Sequence, residues 1–220
     1  MILHQPEPAD FIKTEKMSDK TNQDDHEKTE DASAYLTGRL LLAMPTLGDP
    51  RFYKAVIFMC AHDENGAMGL VINHILPGLD MGELFKQLNI EPNDNFSDKI
   101  KTAPVMSGGP VETARGFILH SNDFSQDDTI HIDENLSVTG TIDALKAIAT
   151  GEGPEKMLFI LGYAGWSPGQ LDAEIQDNAW LIVDPDPALI FSDNYENKWD
   201  KAIDKLGIDP AMLSSAAGRA

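Results

Sequence analysis

The stretch MLFILGYAGWSPGQLDAEI, residues 157–175, decides how the chain is read. It contains Gly165-Trp166-Ser167-Pro168-Gly169, a match to the G-x-S-x-G pattern that sets a nucleophilic serine between a strand and a helix. A chemical match would make the fold that of a serine hydrolase. Two features argue against it. The residue after the serine is Pro168, which has no N–H to lend to an oxyanion hole. All six histidines (His4, His26, His62, His74, His120 and His131) precede Ser167, whereas that fold places its histidine after the serine. The same residues make a good helix start. Ser167 is the expected N-cap, Pro168 the first helical residue, and Gln170 completes a capping box. Trp166 is expected to staple onto Leu171, while Asp172 and Glu174 lie toward the positive end of the helix dipole. Gly162 and Gly165 are expected to turn the chain between a strand at 157–161 and this helix.

Working outward, residues 38–44, GRLLLAM, read as a strand ended by Pro45, and the loop 46–52 holds a Gly48-Asp49-Pro50 turn. Residues 53–62 and 68–75 are strands too apolar for simple alternation, so both of their faces should be covered. Asn65-Gly66 between them is the expected two-residue hairpin loop. Asp80 and Glu83 open a short helix with Leu84, Phe85 and Leu88 on its apolar side, and residues 89–103 read as irregular. Further strands are expected at 104–106, 116–121 and 180–183, with one or two between 129 and 139. A helix spans 142–150 and stops at Gly151. Asp193 and Glu196 are expected to cap a longer helix carrying Tyr195, Trp199, Ala202, Ile203 and Leu206 on one face, with Gly207 ending it. Asp209-Pro210 should start one last turn. The pattern is that of a single mixed α/β (α+β) domain.

The 220 residues carry a net charge of −19. Residues 1–34 hold four lysines against nine acids, a net of −5, and read as a disordered acidic extension. That leaves −14 for residues 35–220, the expected domain. A surface of this sign repels phosphate backbones, so direct nucleic-acid binding is disfavoured. No apolar stretch approaches the ~20 residues of a membrane span and the N-terminus lacks a signal peptide's pattern, so the expected location is cytoplasmic, with no membrane partner. The lone cysteine, Cys60, sits in the run AVIFMC and reads as a buried thiol.

Chemistry-bearing constellations are scarce. With Asn65-Gly66 as the loop, His62 would face Gly69 and His74 would face Ile57, an offset of roughly 17 Å at ~3.4 Å per residue. The two histidines then share no ion, and His62 reads as a solvated strand end. His120 and His131 occur singly, and no phosphate-cradling motif is present. No metal and no cofactor is therefore expected. What remains is a set of polar or amphipathic residues at loops and element ends: Asp49, Arg51, Arg115, Trp166 and Gln170. Gly108 and Gly109 join them from SGGP, residues 107–110, which either presents backbone N–H groups to an anion or forms a tight turn. These seven are the candidate ligand-binding residues.

Five blocks occur in one order: LTGRLLLAMPTLGDPRF, HDENGAMGLVIN, GGPVETARGFILH, LGYAGWSPGQLDAEI and KLGIDPAMLSSAAGRA. Together they resemble the YqgE/AlgH family of bacterial proteins, from about Tyr35 to Ala220. The resemblance implies a compact domain whose bent mixed sheet approaches a barrel with helices packed around it. It supplies no catalytic residues, and one branch of the family carries the label of transcriptional regulator. Gly108, Gly109 and Pro110, with Gly162, Tyr163, Gly165, Trp166 and Gln170, mark either a site or the turns of the fold. The expected function is a binding or regulatory module acting through an unknown protein partner or a small molecule. The alternative is an enzyme whose active site lies near Arg115 and Gln170.

Overall fold

All four residues of LLLA in β1 (Leu40–Ala43) are buried, and they face two different cores. Leu40 and Leu42 point to one side, Leu41 and Ala43 to the other, as the two-residue period of a strand requires. The computed structural model describes residues 35–93, 96–208 and 213. The expected acidic extension, residues 1–34, and the expected turn at Asp209-Pro210 lie outside the described residues.

The remaining strands are β2 (Val56–Asp63), β3 (Gly66–Val71), β4 (Ile75–Asp80), β5 (Pro104–Ser107) and β6 (Val111–Ser121), followed by β7 (Ile130–His131), β8 (Leu136–Thr139), β9 (Met157–Trp166) and β10 (Trp180–Val183). The helices are α1 (Met81–Gln87), α2 (Asp98–Lys101), α3 (Ile142–Ala149), α4 (Gln170–Gln176), α5 (Pro187–Ile190) and α6 (Lys198–Lys205). One mixed sheet runs β10-β1-β2-β3-β9-β6-β8-β7, with β5 paired to β9 and β4 to β5. It curls into a half-barrel. Its inner face gathers Leu42, Phe58, Leu70, Phe117 and Ile160 into one core, which α5 and α6 close with Ile190, Trp199 and Ile203. On the outside, α4 covers one half of the sheet through Leu171, and α1 and α3 cover the other through Phe85 and Ile148.

β9 is the seam of this sheet. Its first half pairs with β6 and, in parallel, with β5; its last three residues, Ala164 to Trp166, pair with β3. On one edge of β9 the partner changes from β5 to β3 between Leu161 and Ala164, beside Gly162, which sits in the left-handed region at φ +74°. There the backbones of Gly108, Gly109 and Gly162 approach so closely that an added Cβ on any of them would lie under 3.0 Å from a backbone atom. Gly108 N–H donates to Leu161 O and Gly108 O accepts from Val71 N–H, which ties β3 to β9. The expected turn at Gly162 and Gly165 is thus a continuation of the strand. Small residues there admit neighbouring backbone.

Other expectations shift in register. The β2–β3 loop is Glu64-Asn65, because Asp63 Oδ1 accepts Asn65 N–H at 2.7 Å and closes the turn one residue early. Gly66 instead enters β3 hard against the Trp166 carbonyl. With Cys60 as the extra residue of a bulge, His62 pairs with Ala67 and Met59 with Gly69. His62 is buried, not a solvated end: its ring meets Tyr35 edge-on at 5.3 Å and its Nδ1 accepts Leu36 N–H. Cys60 is partly buried, and packing around its thiol pushes it up to about 12. Helix α4 is capped by Gly169 at φ +69° rather than by Ser167, and α6 begins at Lys198, five residues after Asp193. β4, α2 and α5 add to the expected elements. Pro77 and Gly78 hide β4 from a search for apolar runs.

Candidate functional site

The connection from β1 to β2 is built of two tight turns, Pro45–Leu47 and Pro50–Phe52. Asp49 caps the second by accepting Arg51 N–H at 3.0 Å. The Arg51 guanidinium folds back and donates Nε and Nη2 to the same carboxylate, which holds Asp49 below the usual carboxylate range. Arg51 is exposed and Asp49 half-buried, so solvent screens the pair, which sets loop shape more than stability. Arg51 then lies 6.0 Å from the Phe52 ring.

The next two residues are pinned from below. His74 Nε2 lies 3.1 Å from Tyr53 O and donates to it, and Asn73 Nδ2 donates to Lys54 O at 2.9 Å. The Asn73 carbonyl in turn accepts Val56 N–H, so one buried amide clamps both ends of the entry to β2. Burial lowers His74 below the ordinary histidine value, and its bond to Tyr53 O opposes that shift. Lys54 is held at φ +51°, an uncommon conformation for a side-chain-bearing residue. It reaches α6, donating Nζ to Asp200 at 2.8 Å and lying 5.1 Å from the Trp199 ring. Trp199 Nε1 donates to Ala43 O, closing the back of the site.

Between this loop and α6 lies a concavity of about 420 Å³, walled by Met44, Pro45, Leu47, Phe52, Lys54 and Trp199, with Asp49 on its lining. Sites for small molecules span ~300–1,000 Å³ and combine apolar walls with a few fixed polar groups. Here the polar groups, Lys54 and Asp49, are each held by an internal partner.

The other predicted residues fall elsewhere. Trp166 and Gln170 meet at Glu174, whose carboxylate accepts from Trp166 Nε1 at 2.9 Å, Trp180 Nε1 at 2.7 Å and Gln170 Nε2 at 2.9 Å. Gln170 Oε1 also accepts Ser167 N–H, which is one half of the expected capping box. Phe52, Trp180 and Trp166 stack edge to face at 5.7 and 5.8 Å, which joins Asp49 and Arg51 to this turn through aromatic packing. Gly108 and Gly109 sit at the seam, where Ser107 N–H and Gly108 N–H bond His74 O and Leu161 O and leave neither for an anion. Arg115 stands apart on β6, paired with Glu112 at 3.2 Å and lying 5.4 Å from the Phe117 ring. No hydrogen bond or ion pair among the described residues joins it to Gln170.

The histidines are occupied as well. His120 is fully buried between Ser121 O, which requires Nδ1–H, and Thr139 Oγ1, which donates to Nε2; burial lowers its pKa. His131 meets Ser137 Oγ at 2.8 Å. Among the described residues no three His, Cys, Asp or Glu side chains cluster to hold a metal. Sequence reasoning missed Lys54, Glu174, Trp199 and Asp200 as site residues. Only Glu174 had a local signal, four residues after Gln170 on one helix face.

A half-barrel mixed sheet with helices packed on both faces and a loop-to-helix concavity defines a single-domain α/β protein. A family model described as DUF179, AlgH-like, matches residues 40–211, and the chain belongs to that family. A UPF0301 protein of Bradyrhizobium sp. (strain BTAi1) is 54% identical over 190 residues, which is 84% of this chain and 88% of that one. A UPF0301 protein of Rhodopseudomonas palustris (strain HaA2) is 50% identical over 190 residues, 84% of this chain and 87% of that one. The solution structure of AlgH from Pseudomonas aeruginosa is 42% identical, with a TM-score of 0.68 over 84% of this chain and 96% of that one. A crystal structure from Corynebacterium diphtheriae, 17% identical, shares the fold at a TM-score of 0.65 over 82% of this chain and 92% of that one. No helix among the described residues is long and apolar enough to cross a membrane.

Proposed function

We propose that the chain is a cytoplasmic binding module whose ligand, a small and mostly apolar molecule or an apolar side chain of a partner protein, seats in the concavity between the β1–β2 connection and α6. The observation that carries this reading is the preformed wall itself. Three segments far apart in sequence, at residues 43–54, 73–74 and 199–200, are locked together by side-chain bonds around a space of about 420 Å³. The charged groups nearby are neutralised in pairs, which favours an uncharged ligand. Asp49 and Arg51 shape the rim, and the Trp166–Gln170 turn supports it through Trp180 and Phe52. Any effect on transcription would run through a partner, since the −14 on residues 35–220 repels nucleic acid.

Nuclear magnetic resonance of the labelled chain tests this. A panel of small aromatic and aliphatic compounds should shift amides at residues 44–54 and the Trp199 indole, and Leu47→Asp should abolish those shifts. Shifts scattered over the surface, or none from any compound, contradict the reading.

A further inference from the structure

Helix α6 opens with a lysine that no solvent reaches. Lys198 Nζ donates to Ile72 O at 3.3 Å, just past the end of β3, and to Ile190 O at the end of α5. Above it lies the Tyr195 ring at 4.9 Å. No carboxylate stands within ion-pair distance of it among the described residues. Asp193 acts on it only from further off, and is itself exposed and paired with Lys99 of α2 at 3.7 Å.

The position is hostile to a cation. The first turn of a helix carries the positive end of the dipole, and burial penalises an ammonium that lacks a counter-charge. A neutral amine has two N–H donors for two carbonyls. Protonation adds a third N–H, for which the site supplies only a ring face. Burial therefore dominates over the pull of Asp193 and brings the amine from 10.5 down to about 7. The other titratable groups around it are few. Tyr195, raised by burial, stays a neutral phenol; α5 has no titratable side chain. Beyond Ile72 stands His74, bonded to Tyr53 O, and two residues along α6 the Asp200 carboxylate is held by Lys54.

We propose that Lys198 is a proton-operated clasp: it seats α6 as a neutral amine, and taking up a proton loosens α6 from the ends of β3 and α5. Trp199 and Asp200 follow on the same helix, so loosening withdraws the back wall of the concavity and the partner of Lys54. That consequence rests on the binding reading above; the clasp itself does not.

Linkage sets the size of the effect. An amine that titrates near 10.5 when released and near 7 when seated makes release about tenfold more frequent at pH 6 than at pH 8. Hydrogen exchange of the full chain, without ligand, reads this directly. The protection ratio of the Ala202 and Ile203 amides, intrinsic over observed exchange rate, should fall about tenfold between pH 8 and pH 6. The ratio should stay flat in Lys198→Met, which cannot protonate, and in Lys198→Gln, which keeps a donor for the carbonyls. A wild-type ratio that does not change with pH overturns the clasp, as does an equal fall in either variant. Should neither variant fold, the wild-type profile decides alone.

Discussion

Two helices of this domain begin in opposite ways. At α4, every polar group that the chain turns inward finds a partner. Glu174 takes three donors, Gln170 secures the Ser167 amide, and Asp172 lies in the first turn, where its charge is favoured. At α6, the first residue is a buried amine at the end of the dipole that disfavours its charge, with two carbonyls and a ring for company. The first site matches a catalytic pattern in sequence, and in the fold its polar groups bond one another. The second has no motif, yet it holds a charge state that can change near neutral pH. A motif match reports residue spacing, whereas reactivity depends on what surrounds a group after folding.

The largest effect should come from α6. Lys198 is depressed in the folded state, so the unfolded chain binds the extra proton between about pH 7 and 10.5 and stability rises with pH across that window. The unfolding free energy of the wild type minus that of Lys198→Met should grow by about 4 kcal/mol from pH 6 to pH 10, measured by urea denaturation. A constant difference would erase the contrast between the two helix starts. His74 and His120 extend the trend into acid. Each is lowered by burial, so each subtracts stability as the pH falls below 6.5 toward its folded value.

Next in size is the α4 start. Glu174→Ala strips acceptors from two indole N–H groups, both on buried tryptophans, and should cost about 2–3 kcal/mol, measured by urea denaturation. The smallest effect is at Ser167. Among the described residues its hydroxyl bonds nothing and the cap of α4 is Gly169, so Ser167→Ala should change stability by less than about 0.5 kcal/mol. A fluorophosphonate probe should leave Ser167 unlabelled, since Pro168 lends no amide to an oxyanion. Labelling that disappears in the alanine variant would return the α4 start to chemistry.

Much of the frame was legible because apolar runs and caps are local signals. LLLA, the Asp80-capped helix and the helix ended by Gly151 emerge where the pattern puts them, whereas the two strands after LLLA run Val56–Asp63 and Gly66–Val71 rather than 53–62 and 68–75. Register was not, since a single side-chain bond from Asp63 moves the β2–β3 loop and one bulged residue moves the pairing again. The seam at Gly108, Gly109 and Gly162 was visible as glycines but not as a seam. A missing Cβ signals either a turn or a close approach, and only the fold tells which. The concavity was half visible. Asp49 stands out as a loop residue, but Lys54 and Asp200 meet across 146 residues of chain. No spacing rule reaches that far. Lys198 gave no signal because its neighbours, Ile72 O and Ile190 O, are backbone.

The account turns on the charge of one amine, and that charge can be observed. In the wild-type chain with carbon-13 lysine labels, the Cε resonance of Lys198, assigned by its loss in Lys198→Met, should titrate with a midpoint near 7. A midpoint near 10.5 would mean the ammonium sits in its pocket fully charged at every physiological pH, and the contrast between the two helix starts would fall.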